Sequence, residues 1–310
     1  MDRPNPIAVH IGYHKTATSW FQQMAFSNHP QVAPLLGGSE FGVVASDAFV
    51  RQMIFARDSD FDATEARALF TQRAATVVSD PRQVVVVSAE RFSGHCASGG
   101  YDGVRIADRL HATLPEAKVF WVLRHQAEAI RSEYKQIVLA GWPGNIKTTL
   151  APMPRMKTTG VDLAYWEYHR LLSGYARRFG PERIMLIDYG RFTREPAAVL
   201  GELARFLDIE PWSLSQAQLQ TRINEGESDG ETRMRQRLNH ITKTELNPYP
   251  PVDIPNRVSA MVVKMSGLLP RRKPLFDASF DAWADERFRL SNDLLNDEWG
   301  LVLTRSYPLR

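Results

Sequence analysis

The stretch VHIGYHKTATSWFQQ, Val9 to Gln23, opens in an apolar run, crosses a short polar loop and closes with helical spacing. The strand is read as Ile7–Ile11 and the helix as about Thr18 to Asn28, stopped before Pro30. The same unit recurs downstream. Val84–Ser88 (VVVVS) and Val119–Leu123 (VFWVL) are apolar on both faces, as central parallel strands covered by helices on both sides are. Asp62–Val78 carries Ala66, Leu69, Phe70, Ala74 and Val77 at three-to-four spacing, which predicts a helix. Further helices are read at Tyr101–Leu114, Ala127–Leu139, Leu163–Phe179 and Pro196–Leu207, the last with proline at its start, and a fourth strand at Ile184–Ile187. This alternation predicts an α/β fold, a central parallel sheet with right-handed crossovers.

Two segments break the pattern. Gln31–Asp60 has no clear period and reads as mostly loop. Trp142–Gly160, rich in proline, reads as a long exposed loop. The part after Arg222 is polar and helical. It is expected to pack on the same core, giving a single domain over 1–310, with a nucleotide-binding core at about 5–210 and a helical extension at about 211–310.

Ligands of open parallel sheets bind at the carboxyl ends of the strands. That rule selects Gly12–Ser19, Ser88–Phe92, Arg124–Ser132 and Asp188–Arg191. The first of these presents backbone N–H groups and a helix N-terminus to an anion. A nucleotide-binding P-loop runs G-x-x-x-x-G-K-[ST]. Here Ala17 stands for the second glycine, Thr18 for the lysine, and Lys15 lies three residues early. Thr16, Thr18 and Ser19 add hydroxyls. No acidic partner after another strand completes a Mg²⁺ site of the usual kind. A loop of this kind suits transfer of a group carrying little charge, such as a sulfuryl group, and the expected layering is P-loop-like with helices on both sheet faces.

Bulk properties bound the rest. Lys and Arg number 38 against 35 Asp and Glu, a net +3, too small a surplus to argue for nucleic acid. One cysteine, Cys96, rules out an intrachain disulfide and a cluster built on cysteines. No apolar run is long enough for a membrane span. The N-terminus reaches a polar loop too soon for a signal peptide, so a cytoplasmic location is expected.

IGYHKTATS resembles the 5′-phosphosulfate loop of sulfotransferases that use 3′-phosphoadenylyl sulfate (PAPS), usually K-[TS]-G-T-[TS]. VLRHQAEAIRSEY resembles their 3′-phosphate strand-turn-helix, in which an arginine is followed eight residues later by a serine, here Arg124 and Ser132. The segment RRFGPERIMLIDYGRFTREPAAVLGELARFLDIE and the stretches NEGESDGETRMRQRLN and RLSNDLLNDEWGL are similar to further elements of the family, especially its bacterial members. Three departures stand out: Ala17 for the usual glycine, His125-Gln126 for the usual Asn-Pro, and no counterpart of the C-terminal Arg-Lys-Gly element, since Arg271-Arg272-Lys273 lacks the glycine.

The resemblance implies sulfuryl transfer from PAPS to a hydroxyl or amine, releasing 3′,5′-diphosphoadenosine (PAP), with no metal required. It implies donor contacts from His14, Lys15, Thr16, Ala17, Thr18, Ser19, Arg124 and Ser132, with Lys15 also at the bridging oxygen. Glu90, just past the second strand, matches the general base of the glycan-modifying members, and His95 is the rival base. The acceptor is then a small molecule or glycan, contacted from the loops Gly37–Phe61, Trp142–Gly160 and Glu225–Thr232. Other readings stay open. The chain could be a kinase-like phosphotransferase using Mg-ATP, or a non-catalytic nucleotide- or glycan-binding module. Arg124 could pair with Glu128, Glu90 with Arg91, Asp188 could merely cap a strand end, and Trp142 could act as a lid.

Overall fold

The computed structural model describes residues 5–35, 47–96, 99–150, 161–221, 223, 226–252, 254–267 and 274–306. Five parallel strands, β1 (Ile7–Gly12), β2 (Val32–Pro34), β3 (Val84–Ala89), β4 (Lys118–Leu123) and β5 (Ile184–Asp188), form one sheet in the order β2-β3-β1-β4-β5. The first strand is central, with Val9 opposite both Val87 and Val119.

Alternation along these strands divides the core in two. Val9, Ile11, Val85, Val87, Val119, Trp121 and Leu123 face one cluster. There they meet Phe70, Ile106, Leu110, Leu172 and Tyr175 from the helices Ala63–Ala75, Gly103–Thr113 and Tyr168–Phe179. Ala8, Val84, Val86, Phe120 and Val122 face the other, against Phe21, Phe26, Leu200 and Leu203. Both faces of the sheet are therefore covered, which is why its strands read as unbroken apolar runs. Phe288 and Leu295 of the long helix Ala278–Trp299 join the first cluster.

The neighbours of β1 explain where a ligand can sit. The chain leaves β1 for β2 and β3 on one side and then crosses from β3 to β4 on the other, so the loops after β1 and β3 diverge at the carboxyl ends and leave a crevice.

Some elements differ from the sequence reading. Within Gln31–Asp60 lie β2 and a helical run at Ala48–Val50 and Arg51–Phe55, started by Asp47, whose side chain accepts from Val50 N. Pro34 is tolerated because β2 is an edge strand. Ile146–Leu150 is a short helix inside the segment read as loop, and Trp142 is half-buried, its Nε1 donating to Thr149 Oγ1 at 2.8 Å. Leu163–Phe179 divides into a 3₁₀ turn, Leu163–Trp166, and the helix from Tyr168. The helix after the first loop is α-helical at Thr18–Trp20, π-wound at Phe21–Ala25 and 3₁₀ at Phe26–Asn28. Residues 37–46, 151–160 and 225 of the expected acceptor loops, and Arg271-Arg272-Lys273, lie outside the described residues. Among the described residues, no helix is long and apolar enough to cross a membrane.

Candidate active site

The loop between β1 and its helix is wound tightly. Lys15 and Ala17 both have left-handed backbones, with φ of 65° and 63°. Left-handed residues alternating along a loop turn successive N–H groups into a concave anion cradle. The conformation costs a residue with a Cβ about 1–2 kcal/mol. At position 17 the usual glycine supplies conformational freedom, and Ala17 takes up the same conformation under strain. Gly12 has a different reason to lack a side chain. A Cβ there would lie 2.5 Å from Thr18 Oγ1 and 3.2 Å from Glu90 Cα. The ends of β1 and β3 therefore touch through Gly12, and Glu90 borders the loop.

The hydroxyls of the loop divide. Thr16 is fully buried and donates to Tyr13 O at 2.6 Å, closing the turn. Thr18 is buried, and its Oγ1 has no hydrogen-bond partner among the described residues. Ser19 is buried in the first turn of the helix. Lys15 Nζ donates to Gln136 Oε1 at 2.7 Å, on the helix Gln126–Leu139.

Arg124 leaves the end of β4 and reaches the same loop. One guanidinium nitrogen donates to Lys15 O at 3.2 Å, while Nε donates to Glu128 Oε2 at 3.2 Å. The guanidinium lies 4.6 Å from the centre of the Tyr189 ring. Tyr168, buried beneath, donates its hydroxyl to Arg124 O at 2.8 Å. Glu128, Ser132 and Gln136 recur every four residues along one helix and so share a face. Because Glu128 holds Arg124 and Gln136 holds Lys15, half-buried Ser132 is set between the two cations.

On the β3 side, Glu90 opens a 3₁₀ turn, Glu90–Ser93, and lies 3.3 Å from His14 Nδ1. Arg91 turns the other way and forms a 2.8 Å ion pair with buried Asp102. Burial alone would raise the Asp102 carboxyl; the hydrogen bond and charge of Arg91 bring it below the usual range. The other Asp102 oxygen accepts from His95 N at 2.9 Å. Burial, with Arg91 and His14 nearby, lowers the His95 imidazole below its ordinary value. Burial does the same to His125, which lies 3.3 Å from Asp285.

Gln136 carried no signal of its own, whereas Glu128 pairs with Arg124 and Asp188 caps a strand end, both alternatives that the sequence left open. Gln136 lies just past the quoted helix motif. Glu128 accepts from Ser306 N at 2.9 Å and Ser306 Oγ at 2.5 Å. Asp188 is a cap, accepting from Gly190 N and Arg191 N, and it also takes the backbone and hydroxyl of Thr304. Tyr189, its neighbour, is the platform under Arg124. Residues 304–306 thus cross the ends of β4 and β5.

Comparison with known proteins adds the following. Residues 101–213 match the model of the sulfotransferase family. No curated protein matches the sequence. Among solved structures, a sulfotransferase from Alicyclobacillus acidocaldarius is similar at 17% identity and a TM-score of 0.50, over 72% of this chain and 87% of that one. A sulfotransferase domain from the curacin biosynthetic pathway is similar at 14% identity and a TM-score of 0.42, over 93% and 99% of the two chains. A mouse sulfotransferase complexed with PAP shares 12% identity at a TM-score of 0.34, over 96% and 86%.

Proposed function

We propose that the chain, whose residues 101–213 match the model of the sulfotransferase family, transfers a sulfuryl group from PAPS to a hydroxyl or amine of a carbohydrate or other small metabolite. One observation carries the reading. Two stretches that resemble anion-binding motifs, 109 residues apart, meet where Arg124 donates to the carbonyl of Lys15. A loop cradle and an arginine fork side by side match a ligand with two separated anionic groups.

PAPS supplies the sulfuryl group, and the chain's residues divide the remaining work. The backbone of residues 14–19 and the open Thr18 hydroxyl hold the 5′-phosphosulfate. Arg124 and Ser132 hold the 3′-phosphate. Lys15 exchanges Gln136 for the bridging oxygen and neutralises charge as the sulfur–oxygen bond to PAP breaks. Glu90 removes the acceptor proton as the acceptor atom bonds to sulfur. His14, beside Glu90, orients the carboxylate. His95 is the weaker candidate for base, because its backbone is tied to Asp102 and its imidazole is half withdrawn from solvent.

The test is ligand-dependent stability followed by turnover. PAP should raise the melting temperature, since a ligand that binds only the folded state stabilises it, and Mg-ATP should not. Lys15→Ala should keep the fold and abolish transfer. A melting temperature unmoved by saturating PAP, or normal turnover by Lys15→Ala, would overturn the assignment.

A further inference from the structure

Behind the loop, side chains from three separate elements converge: His14 after β1, Cys96 beyond the turn that follows β3, and Glu133 on the helix Gln126–Leu139. One ligand atom from each, an imidazole nitrogen, the thiol sulfur and a carboxylate oxygen, lie within 4.8 Å of one another. Cys96 is 5% and Glu133 6% exposed, and Cys96 Sγ donates to Glu133 Oε1 at 2.9 Å. Glu133 Oε2 and His14 Nε2 are buried and have no hydrogen-bond partner among the described residues. No lysine, arginine or histidine among the described residues forms an ion pair with Glu133.

A carboxylate withdrawn from water and unpaired is costly. A cation seated among the three groups would remove that cost. Thiolate, imidazole and carboxylate together form a donor set suited to zinc, and three protein ligands leave a fourth position for water or another molecule. The far side of His14 supports the same assignment. Its Nδ1 faces the Glu90 carboxylate at 3.3 Å, and a carboxylate on the second ring nitrogen is how metal-binding histidines are oriented. We propose that His14 Nε2, Cys96 Sγ and Glu133 bind one zinc-class divalent cation. A single cysteine is enough for such a mixed site, although it excludes a cluster built on cysteines. Binding converts the Cys96 thiol to a thiolate and releases its proton to solvent. It also fixes the His14 proton on Nδ1, pointing at Glu90.

The experiment uses the full chain after chelator treatment and needs no turnover. Cobalt(II) titration should give a near-ultraviolet thiolate-to-cobalt absorption that saturates at one equivalent. Zinc should displace it, and calorimetry should register proton release. Cys96→Ser should lose the band. Glu133→Gln should weaken zinc binding about 10-fold or more. Should Cys96→Ser fail to fold, protection of Cys96 in the wild-type chain from alkylation by zinc gives the same reading. No band and no zinc uptake by the folded wild type would overturn the proposal, as would a band that survives in folded Cys96→Ser. Because PAP is absent throughout, either result leaves the donor assignment to its own test.

Discussion

Replacing Arg91 by leucine isolates a charge that the fold has buried. The Asp102 side chain is 1% exposed and that of Arg91 11%, and they meet at 2.8 Å. Removing one member of a buried pair costs about 3–5 kcal/mol, because the partner's charge is left without compensation. Asp102 keeps the donor His95 N, which places the expected loss at about 3 kcal/mol, a large share of the ~5–15 kcal/mol that holds a domain folded. Urea denaturation followed by far-ultraviolet circular dichroism reads the difference. The double variant Arg91→Leu/Asp102→Asn removes the stranded charge while keeping an acceptor for His95. It should recover most of the loss, ending within about 1–2 kcal/mol of wild type. A single variant that loses under about 1 kcal/mol would behave like an exposed pair. That result, or a double variant no better than the single, would refute the account of this pair as the anchor of the turn that carries His95.

Three further outcomes are expected. Gly12→Ala inserts a methyl 2.5 Å from Thr18 Oγ1; overpacking should destabilise the fold by about 1–3 kcal/mol and weaken PAP binding in calorimetry, and unchanged affinity would separate Gly12 from the loop. Ser306→Ala removes a hydroxyl from Glu128, freeing Glu128 to hold Arg124 more tightly, so the Michaelis constant for the donor should rise more than the turnover number changes; an effect on turnover alone would contradict this. His10, buried and stacked on Phe120, has its imidazole lowered by burial to about 3. The unfolded chain takes up a proton near pH 6.5 that the folded chain refuses. Stability should therefore fall as pH drops from about 6.5 toward about 3, and His10→Phe should flatten the fall in urea midpoints between pH 7 and pH 5.

The parts of the fold legible in the sequence were those with local causes. VVVVS and VFWVL announce buried strands because both sheet faces are covered, and the loop after Ile11 announces itself by its polar residues between two apolar runs. The three-residue β2 was hidden, since Val32–Pro34 is too short for a period and ends in a residue that usually argues against a strand. Within the candidate site, Lys15, Arg124 and Ser132 were legible because each sits at a fixed offset in a motif. Glu128, four residues on, was a legible partner for Arg124, but the partner of Lys15 was not. The partner of Lys15 is Gln136, 121 residues away, and an isolated glutamine in a helix carries no signal. Arg91 was the obvious neighbour for Glu90 in sequence, yet successive residues of a turn point apart, so Arg91 went to Asp102 and Glu90 met His14. The approach of Cys96 to Glu133 depends on packing across 37 residues and had no counterpart in composition or spacing.

The strap at residues 304–306 ties the completion of this site to synthesis. Thr304 reaches Asp188 across 116 residues and Ser306 reaches Glu128 across 178. Gly190 leaves room for the crossing, since a Cβ there would lie 2.2 Å from Thr304 O. All five strands have been made once β5 has left the ribosome, whereas Phe288 and Leu295 of the core and the strap follow later. The ends of β4 and β5 receive their last hydrogen bonds only when residue 306 emerges, roughly ten seconds later at ordinary elongation rates. A nascent chain therefore lacks the strap's contacts to Asp188 and Glu128 until those last residues have emerged.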